Sequence, residues 1–237
     1  MTKKPTKALL LSAFILLITF SAKAQIGYNY SQYDIGTSVS FNTLKGDAQT
    51  TKTTEAINFN IGYNPSPFTN FVFEVQLGKL TEGDSLKTTT GRYSNNDFYA
   101  FVFRGQLQFG EFLNYDRSTF NNVFKNLYVS AGVGYIHNHI TKINRYSYQI
   151  PDFYTGGYNS SSTPFIPLRI GYEFKLYNSY DEPSVKIDLA YEYNYSFGDL
   201  DGFTTSPAHN DTYSQISLGV KFAIGGGITS HSKKIPY

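Results

Sequence analysis

Alternation between apolar and polar side chains is the feature that most limits what this chain can fold into. After residue 24 the alternation occurs in eight separate segments, each long enough for one β-strand. Successive side chains of a strand point to opposite faces, so each segment carries one apolar and one polar face. We therefore predict eight antiparallel strands, near residues 32–42, 55–64, 70–80, 97–110, 126–138, 164–177, 185–197 and 213–224.

The apolar face is too large to fill the inside of a small barrel. It holds about 40 large side chains, whereas the interior of an eight-stranded barrel only just accommodates one set of side chains. The polar face carries glycines, which weaken a solvated strand but fit a crowded concave wall. We predict an all-β fold, a closed eight-stranded up-and-down barrel whose apolar face meets lipid. A soluble two-sheet sandwich that buries the same apolar side chains is the alternative. The glycines on the polar face are Gly36, Gly62, Gly78, Gly110, Gly132, Gly134, Gly171 and Gly219.

The first 24 residues have the order of a secretory signal peptide. An apolar run from Ala8 to Phe20 is followed by an A-x-A cleavage site, Ala22-Lys23-Ala24. The run is shorter than the ~20 residues that a membrane-spanning helix needs. We therefore expect export, with the mature chain beginning at Gln25. The positive charge ahead of the apolar run comes from three lysines, Lys3, Lys4 and Lys7.

Charge and cysteine content exclude two classes of protein. The chain has 20 basic and 18 acidic residues, and four of the lysines lie in the predicted leader, so 16 basic residues remain in the mature part. This balance does not favour nucleic-acid binding. The absence of cysteine rules out a disulfide framework and a lipoprotein anchor.

The lengths of the connections agree with an outer-membrane barrel, in which external loops are long and periplasmic turns are short. We predict short turns at Pro65-Ser66-Pro67 and Asp181-Glu182-Pro183. The connection Glu111–Lys125 is too long for a simple turn, and Phe120 to Phe124 within it could form a helical turn. The predicted external loops are Thr43–Thr54, Thr81–Asn96, His139–Thr163 and Gly198–Thr212.

The last strand carries a short pattern of polar, glycine, aromatic and apolar residues: Ser217, Gly219, Phe222 and Ile224. It resembles the signal that the barrel assembly machinery reads in a final strand. With it, the mature chain resembles the small eight-stranded barrels of the outer membrane protein β-barrel domain family, such as the OmpA transmembrane domain and OmpX. The resemblance implies the outer membrane of a Gram-negative bacterium, contact with outer-membrane lipid, and that machinery as a partner. Residues 225–237 are then a short periplasmic tail, which departs from the usual pattern.

Ten charged residues fall on the polar face, five of each sign, and we predict that they fill the lumen with ion pairs. Burying an unpaired charge costs several kcal/mol, so a balanced set of charges favours a lumen that is plugged by its own side chains. Glu74 and Arg104 should be cross-strand neighbours, and Asp34 and Lys221 could pair across the seam between the first and last strands. The alternative is a narrow pore for ions or small solutes, gated by these pairs. The ten residues are Asp34, Glu74, Arg104, Arg169, Glu173, Lys175, Lys186, Asp188, Glu192 and Lys221.

Evidence for enzymatic chemistry is weak. His137 and His139 share one face of a strand end, but no third ligand is evident nearby, so we expect no metal site. Ser206, His209 and Asp211 could form a catalytic set at the rim of the barrel, although ordinary loop composition explains them. We expect no enzyme and no cofactor, and no motif for nucleic acid is present.

The predicted third external loop is rich in aromatic residues among Asn, Ser and Gly, a composition typical of adaptable contact surfaces. It could bind an extracellular glycan or a protein ligand. The alternatives are that its tyrosines belong to the aromatic girdle at the bilayer surface, or that the loop is merely flexible. The candidate recognition residues are Tyr146, Tyr148, Phe153, Tyr154 and Tyr158.

Overall fold

The structure is a computed structural model that describes residues 28–48, 50–84, 90–113, 118–149, 154–179, 182–203, 210–224 and 228–231. Within these ranges eight long strands close into an antiparallel barrel, which confirms the predicted fold class. A separate two-stranded sheet joins the two shortest strands, β1 and β10. In chain order the strands are β1 (Tyr28–Tyr30), β2 (Tyr33–Lys45), β3 (Thr53–Tyr63), β4 (Thr69–Gly83), β5 (Tyr93–Gln108), β6 (Leu127–Asn144), β7 (Ser160–Tyr177), β8 (Pro183–Ser196), β9 (Thr212–Ile224) and β10 (Ile228–His231).

Each barrel strand pairs with its neighbours in sequence, and the ring closes between β2 and β9. Ile35 of β2, for example, lies opposite Ile61 of β3 on one side and Phe222 of β9 on the other. In a ring of eight strands, those four positions apart face each other across the lumen. The facing pairs are therefore β2 with β6, β3 with β7, β4 with β8, and β5 with β9.

The two faces of every strand are separated as the alternation predicts. On β4, Phe71, Phe73 and Leu77 are exposed on the outside, whereas Glu74 and Gln76 are completely buried inside. The apolar side chains of the outer face are exposed, and no other described segment of the protein covers them. The barrel thus presents its apolar side chains outward and its polar side chains to the lumen.

The apolar belt ends on one side of the barrel before the strands do. Its edge is marked by outward polar residues, Glu55 on β3, Lys79 on β4, Asp97 on β5 and His139 on β6. Backbone pairing continues beyond this edge, so the first three predicted external loops were drawn too long, whereas the fourth is displaced by one residue at the same length. The observed connections are 46–52, 84–92, 145–159 and 197–211; we call this side the loop end and the opposite side the turn end.

The turn end contains the long connection between β5 and β6. A 3₁₀ turn covers Phe109–Glu111, and a short helix, α1, covers Thr119–Phe124. The predicted helical turn is therefore confirmed, whereas Phe109 and Gly110, which the predicted strand near 97–110 included, belong to the 3₁₀ turn. Among the described residues no helix is long and apolar enough to cross a bilayer.

Close packing of the wall explains several glycines of the inner face. A Cβ added to Gly132 would lie 2.6 Å from the Cα of Arg104. One added to Gly219 would lie 2.6 Å from the Cβ of Ser38. Real Cβ atoms do not approach this closely, so these strands pack against their neighbours only because the side chain is missing.

The segments outside the barrel are only partly described. Ile228–His231, within the predicted tail, forms β10 and pairs antiparallel with β1, a pairing that the sequence did not indicate. The predicted signal peptide, residues 1–24, lies outside the described residues.

Candidate functional site

All ten charged residues predicted for the lumen lie inside the barrel and are buried. Their positions along the strands divide them into two layers. We call Glu74, Arg104, Arg169 and Glu192 the arginine layer, at the middle of the barrel. The turn-end layer consists of Asp34, Glu173, Lys175, Lys186, Asp188 and Lys221.

The arginine layer is a compact group of two cations and two anions. Arg104 Nη2 lies 2.8 Å from Glu74 Oε2 and Arg169 Nη1 lies 3.3 Å from Glu192 Oε2. The other two combinations are longer: Arg169 to Glu74 at 3.7 Å and Arg104 to Glu192 at 3.9 Å. Each carboxylate therefore faces both guanidinium groups, and the layer is neutral as a whole. Such mutual pairing offsets the cost of removing the four charges from water.

Neutral amides extend this layer to the opposite wall. Gln76 Nε2, on β4, donates a 2.9 Å hydrogen bond to Glu74 Oε1 and a 3.4 Å hydrogen bond to Glu192 Oε1, on β8. Because β4 and β8 face each other, the second bond crosses the lumen directly. Polar side chains thus meet in the centre of the barrel.

In the turn-end layer, Lys221 Nζ bridges Glu173 Oε1 at 2.7 Å and Asp188 Oδ2 at 3.1 Å, and Lys186 Nζ binds Asp34 Oδ2 at 2.6 Å. The predicted pair of Asp34 with Lys221 is therefore wrong. Lys186 and Lys221 lie directly opposite each other on β8 and β9. Two like charges at that distance repel, so their ammonium groups turn toward different carboxylates.

Two further residues complete the polar filling. The Tyr128 hydroxyl donates to Asp188 Oδ1 at 2.8 Å and accepts a 3.1 Å hydrogen bond from Arg169 Nε, which links the two layers. Lys175 forms no ion pair within 4.0 Å with a described carboxylate; its Nζ donates to Gln108 Oε1 at 2.6 Å. Its ammonium group also lies over the ring of Phe68.

An apolar layer lies above the arginine layer, toward the loop end. Phe98 of β5 and Tyr213 of β9 meet with ring centroids 6.1 Å apart, and Phe165 of β7 packs against Tyr213 at 5.7 Å. Because β5 and β9 face each other, these rings also span the lumen. The whole apolar layer consists of Leu44, Ala56, Leu80, Phe98, Ala100, Val102, Ile136, Phe165, Leu200 and Tyr213.

Sequence reasoning missed the apolar layer although a signal was present. Phe98, Ala100 and Val102 are even-numbered like Arg104. Because every second residue of a strand lies on the same face, they share its inner face. The lumen was predicted as polar throughout because the inward positions were recognised by their polarity. Parity alone identifies these inward apolar residues.

The tyrosine-rich connection between β6 and β7 is anchored to its neighbours. Tyr146 and Tyr154 form an isolated antiparallel bridge, with ring centroids 5.3 Å apart. The Tyr148 N–H donates to Thr90 O at 3.0 Å, in the β4–β5 connection. Four predicted recognition residues, Tyr146, Tyr148, Tyr154 and Tyr158, are exposed, and Phe153 lies outside the described residues.

The candidate chemical residues that the structure describes, His137, His139 and Asp211, are not gathered in one site. His137 Nδ1 is hydrogen-bonded to Ser162 Oγ at 2.6 Å, and His139 lies on the outer face opposite Asp97. Asp211 is buried, and its Oδ2 accepts hydrogen bonds from backbone N–H groups. Its predicted companions, residues 206 and 209, lie outside the described residues.

The residues of the proposed assembly signal lie on the strand that closes the ring. Ser217 and Gly219 face the lumen, whereas Phe222 and Ile224 are exposed on the outer face near the turn end. Ile224 lies opposite Tyr33, at the start of β2. The pattern thus occupies the closing seam.

No family model matches this sequence, and no curated protein matches it significantly. Solved structures do resemble the fold. Neisserial surface protein A aligns with a TM-score of 0.50 at 13% identity, covering 82% of this chain and 98% of that one. The attachment invasion locus protein Ail of Yersinia pestis has a TM-score of 0.45 at 13% identity, covering 81% and 98% of the two chains. Outer membrane protein AlkL has a TM-score of 0.41 at 15% identity, covering 91% and 97%. The chain has the fold of the small outer-membrane β-barrels.

Proposed function

We propose that the protein is an integral outer-membrane barrel with a closed lumen, which acts structurally or through its external loops. The apolar outer face supports insertion into lipid, where each side chain of the belt leaves water. The leader-like sequence of residues 1–24 supports export, and the pattern at Ser217–Ile224 supports the barrel assembly machinery as a partner. The loop end is then extracellular.

The observation that carries a closed lumen is contact between facing strands at two levels. Gln76 reaches Glu192 in the arginine layer, and Phe98 reaches Tyr213 in the apolar layer. A hydrated ion on the axis would have to break both contacts. A hydrogen bond to a charged group contributes about 1.5–3 kcal/mol, and the apolar rings would have to separate as well, so the closed state is favoured.

A narrow gated pore is the second candidate. It is favoured by two inward amides, Asn42 and Asn194, which are fully buried and make no side-chain hydrogen bonds with the described part of the chain. Unsatisfied amides inside a barrel are suited to contact with water or a polar solute. They lie between the arginine layer and the loop end.

Planar-bilayer recordings distinguish the two candidates. The mature chain is refolded in detergent, and a shift in gel mobility on boiling verifies that the barrel is closed. We expect no conductance steps from the refolded protein, while a general porin in the same bilayers gives regular steps. Stable steps that scale with protein concentration would establish the pore instead.

We further propose that the exposed tyrosines bind an extracellular glycan or protein, and that the protein is not an enzyme. Tyr146 and Tyr154 support recognition because they form a paired, exposed aromatic surface. A screen of immobilised glycans and extracellular proteins tests this with the Tyr146→Ala/Tyr154→Ala double variant. Tyr135→Ala, on the outer face of β6, is the matched control and should bind like the parent. Equal binding by the double variant would remove this loop from the proposal.

A further inference from the structure

Five carboxyl groups gather at the loop end, above the apolar layer. We call them the acidic cap: Asp47, Glu82, Asp199, Asp201 and Asp211. They come from the end of β4 and from the β2–β3 and β8–β9 connections. Sequence reasoning considered only histidines as metal ligands, because these carboxylates lie far apart along the chain.

The carboxylate oxygens of the cap converge on a small volume. Asp199, Asp201 and Asp211 each offer an oxygen, and these oxygens all lie within 4.8 Å of one another. Glu82 joins them beside Gly46. A Cβ built on Gly46 would lie 2.5 Å from Asp201 Oδ2 and 2.6 Å from Glu82 Oε2.

Backbone N–H groups hold these carboxylates in place. The N–H of Asp47 donates to Asp201 Oδ2 at 2.7 Å, and the N–H of Gly46 donates to Glu82 Oε1 at 3.0 Å. Asp211 Oδ2 accepts from two N–H groups, of which that of Asp201 lies at 3.1 Å. The positions of these carboxylates are therefore fixed by hydrogen bonds from the backbone of the connections.

The arginines beside the cap contact its backbone: Arg92 Nη2 donates to Asp47 O at 3.1 Å, and Arg145 Nη2 donates to Gly202 O at 3.2 Å. In contrast to the lumen, no lysine, arginine or histidine of the described ranges lies within 4.0 Å of the carboxylates of Glu82, Asp201 or Asp211. Asp201 and Asp211 are thus buried close together without a countercharge on their carboxylates, and a bound cation would offset the cost of burying their charged forms.

A second, independent feature points to a ligand. Ser94 is 1% exposed, and its Oγ makes no hydrogen bond with the described residues. It lies directly opposite Glu82 in the β4–β5 register, and both side chains are buried on the inner face, so Ser94 is the cross-strand neighbour of Glu82. Two positions along, Asn96 Nδ2 binds Leu200 O, next to Asp201, and its Oδ1 is also unpartnered. Neutral oxygens of this kind complete the coordination of a hard cation.

We propose that the acidic cap binds one divalent cation of the size of Ca²⁺ between Asp199, Asp201 and Asp211, with Glu82 and Ser94 adjacent. Ca²⁺ takes six to eight oxygen ligands and tolerates irregular geometry, which suits carboxylates from several connections. Asp199-Leu200-Asp201-Gly202 has the alternating carboxylates and turn glycine that Ca²⁺-binding loops use; Gly202 has a φ of 77°.

The bound cation would fasten the connections over the apolar layer. Asp211 precedes β9, Glu82 is the penultimate residue of β4, and Asp201 holds the β2–β3 connection through Asp47. An ion shared by their carboxylates would join these segments, whose negative charges otherwise repel one another, into one rigid cover. This inference does not depend on whether the lumen conducts.

Luminescence of Tb³⁺, a Ca²⁺ analogue, tests the site in the refolded barrel after removal of metal with EDTA. The chain has 21 tyrosines and no tryptophan, so tyrosine excitation sensitises a bound ion. We expect one Tb³⁺ per chain, displaced by Ca²⁺ more readily than by Mg²⁺. Ca²⁺ should also raise the midpoint of thermal unfolding. A parent protein that binds no Tb³⁺ and does not respond to Ca²⁺ overturns the proposal.

Asp211→Asn keeps an oxygen for both of its backbone N–H donors, and Asp201→Asn keeps one for either Asp47 or Phe203, while each variant removes one negative charge. We expect each to weaken Ca²⁺ binding by at least about tenfold. Asp97→Asn, an exposed carboxylate at the belt edge, is the matched control and should bind like the parent. If either cap variant does not refold, Asp199→Asn, at a less buried position, replaces it. Cap variants that bind as tightly as the parent place the ion elsewhere and contradict the proposal.

Discussion

Arg104 Nη2 donates a 2.8 Å hydrogen bond to Glu74 Oε2, although neither residue is the other's partner in the strand register. Glu74 lies opposite Val102, and Arg104 lies opposite Val72. The pair is therefore diagonal, two positions apart, and the long arginine side chain covers the difference. Both side chains are fully enclosed, so each depends on the other for its charge balance.

Glu74→Ala and Arg104→Ala should each lower the free energy of unfolding by about 3–5 kcal/mol, because each leaves an uncompensated buried charge. The measurement is urea-induced unfolding of the refolded barrel in detergent. Glu55→Ala, an exposed carboxylate on the outer face of β3, is the control and should change stability little. The double variant should lose less than the sum of the single variants. Single variants with the parent's unfolding midpoint would show that the pair contributes nothing.

The strand number, the two faces and the lumen charges could be predicted because they depend on parity, which is a property of the sequence. Glu74 and Arg104 share the inner face for this reason. The strand ends could not be predicted in the same way. Lys79 and Asp97 interrupt the apolar pattern, but hydrogen bonding between β4 and β5 continues to Gly83 and Tyr93.

Individual partners inside the lumen depend on distances across the barrel, which alternation does not encode. Lys221 binds Glu173 and Asp188 because Lys186 already approaches Asp34. Prediction of the acidic cap from the sequence would also require the closure of the strands into a ring. Only closure brings Glu82 beside Asp201, which is more than one hundred positions away along the chain.

Phe98→Ala should destabilise the barrel by about 3–5 kcal/mol, because it removes a buried ring and leaves a cavity against Tyr213. Phe101→Ala is a matched control on the same strand. Its ring is 44% exposed on the outer face, where lipid or detergent fills the space. Urea unfolding of both variants should therefore give a clearly larger loss for Phe98. Equal losses would mean that the apolar layer is not tightly packed.

Gly132→Ala should lower stability by about 1–3 kcal/mol, since the new methyl group must displace the backbone at Arg104. Gly105→Ala provides the contrast, because an added Cβ there lies 3.8 Å from the ring of Phe71, an ordinary contact distance. We expect Gly105→Ala to be neutral or to stabilise by up to about 1 kcal/mol, as alanine restricts the unfolded chain. Refolding yield and unfolding midpoint report both effects. A tolerated Gly132→Ala would contradict the close approach of β5 and β6.

Single cysteines test which end of the barrel faces the cell exterior, and the cysteine-free chain makes the labelling unambiguous. Tyr158 is 78% exposed at the loop end, and Phe112 is 71% exposed at the turn end. A maleimide too large to pass the outer membrane should label Tyr158→Cys on intact cells, because long connections of such barrels are external. Phe112→Cys should react only after the membrane is disrupted, which also verifies that its thiol is reactive. Labelling of Phe112→Cys alone on intact cells would reverse the assignment and place the acidic cap and the tyrosine-rich connection in the periplasm.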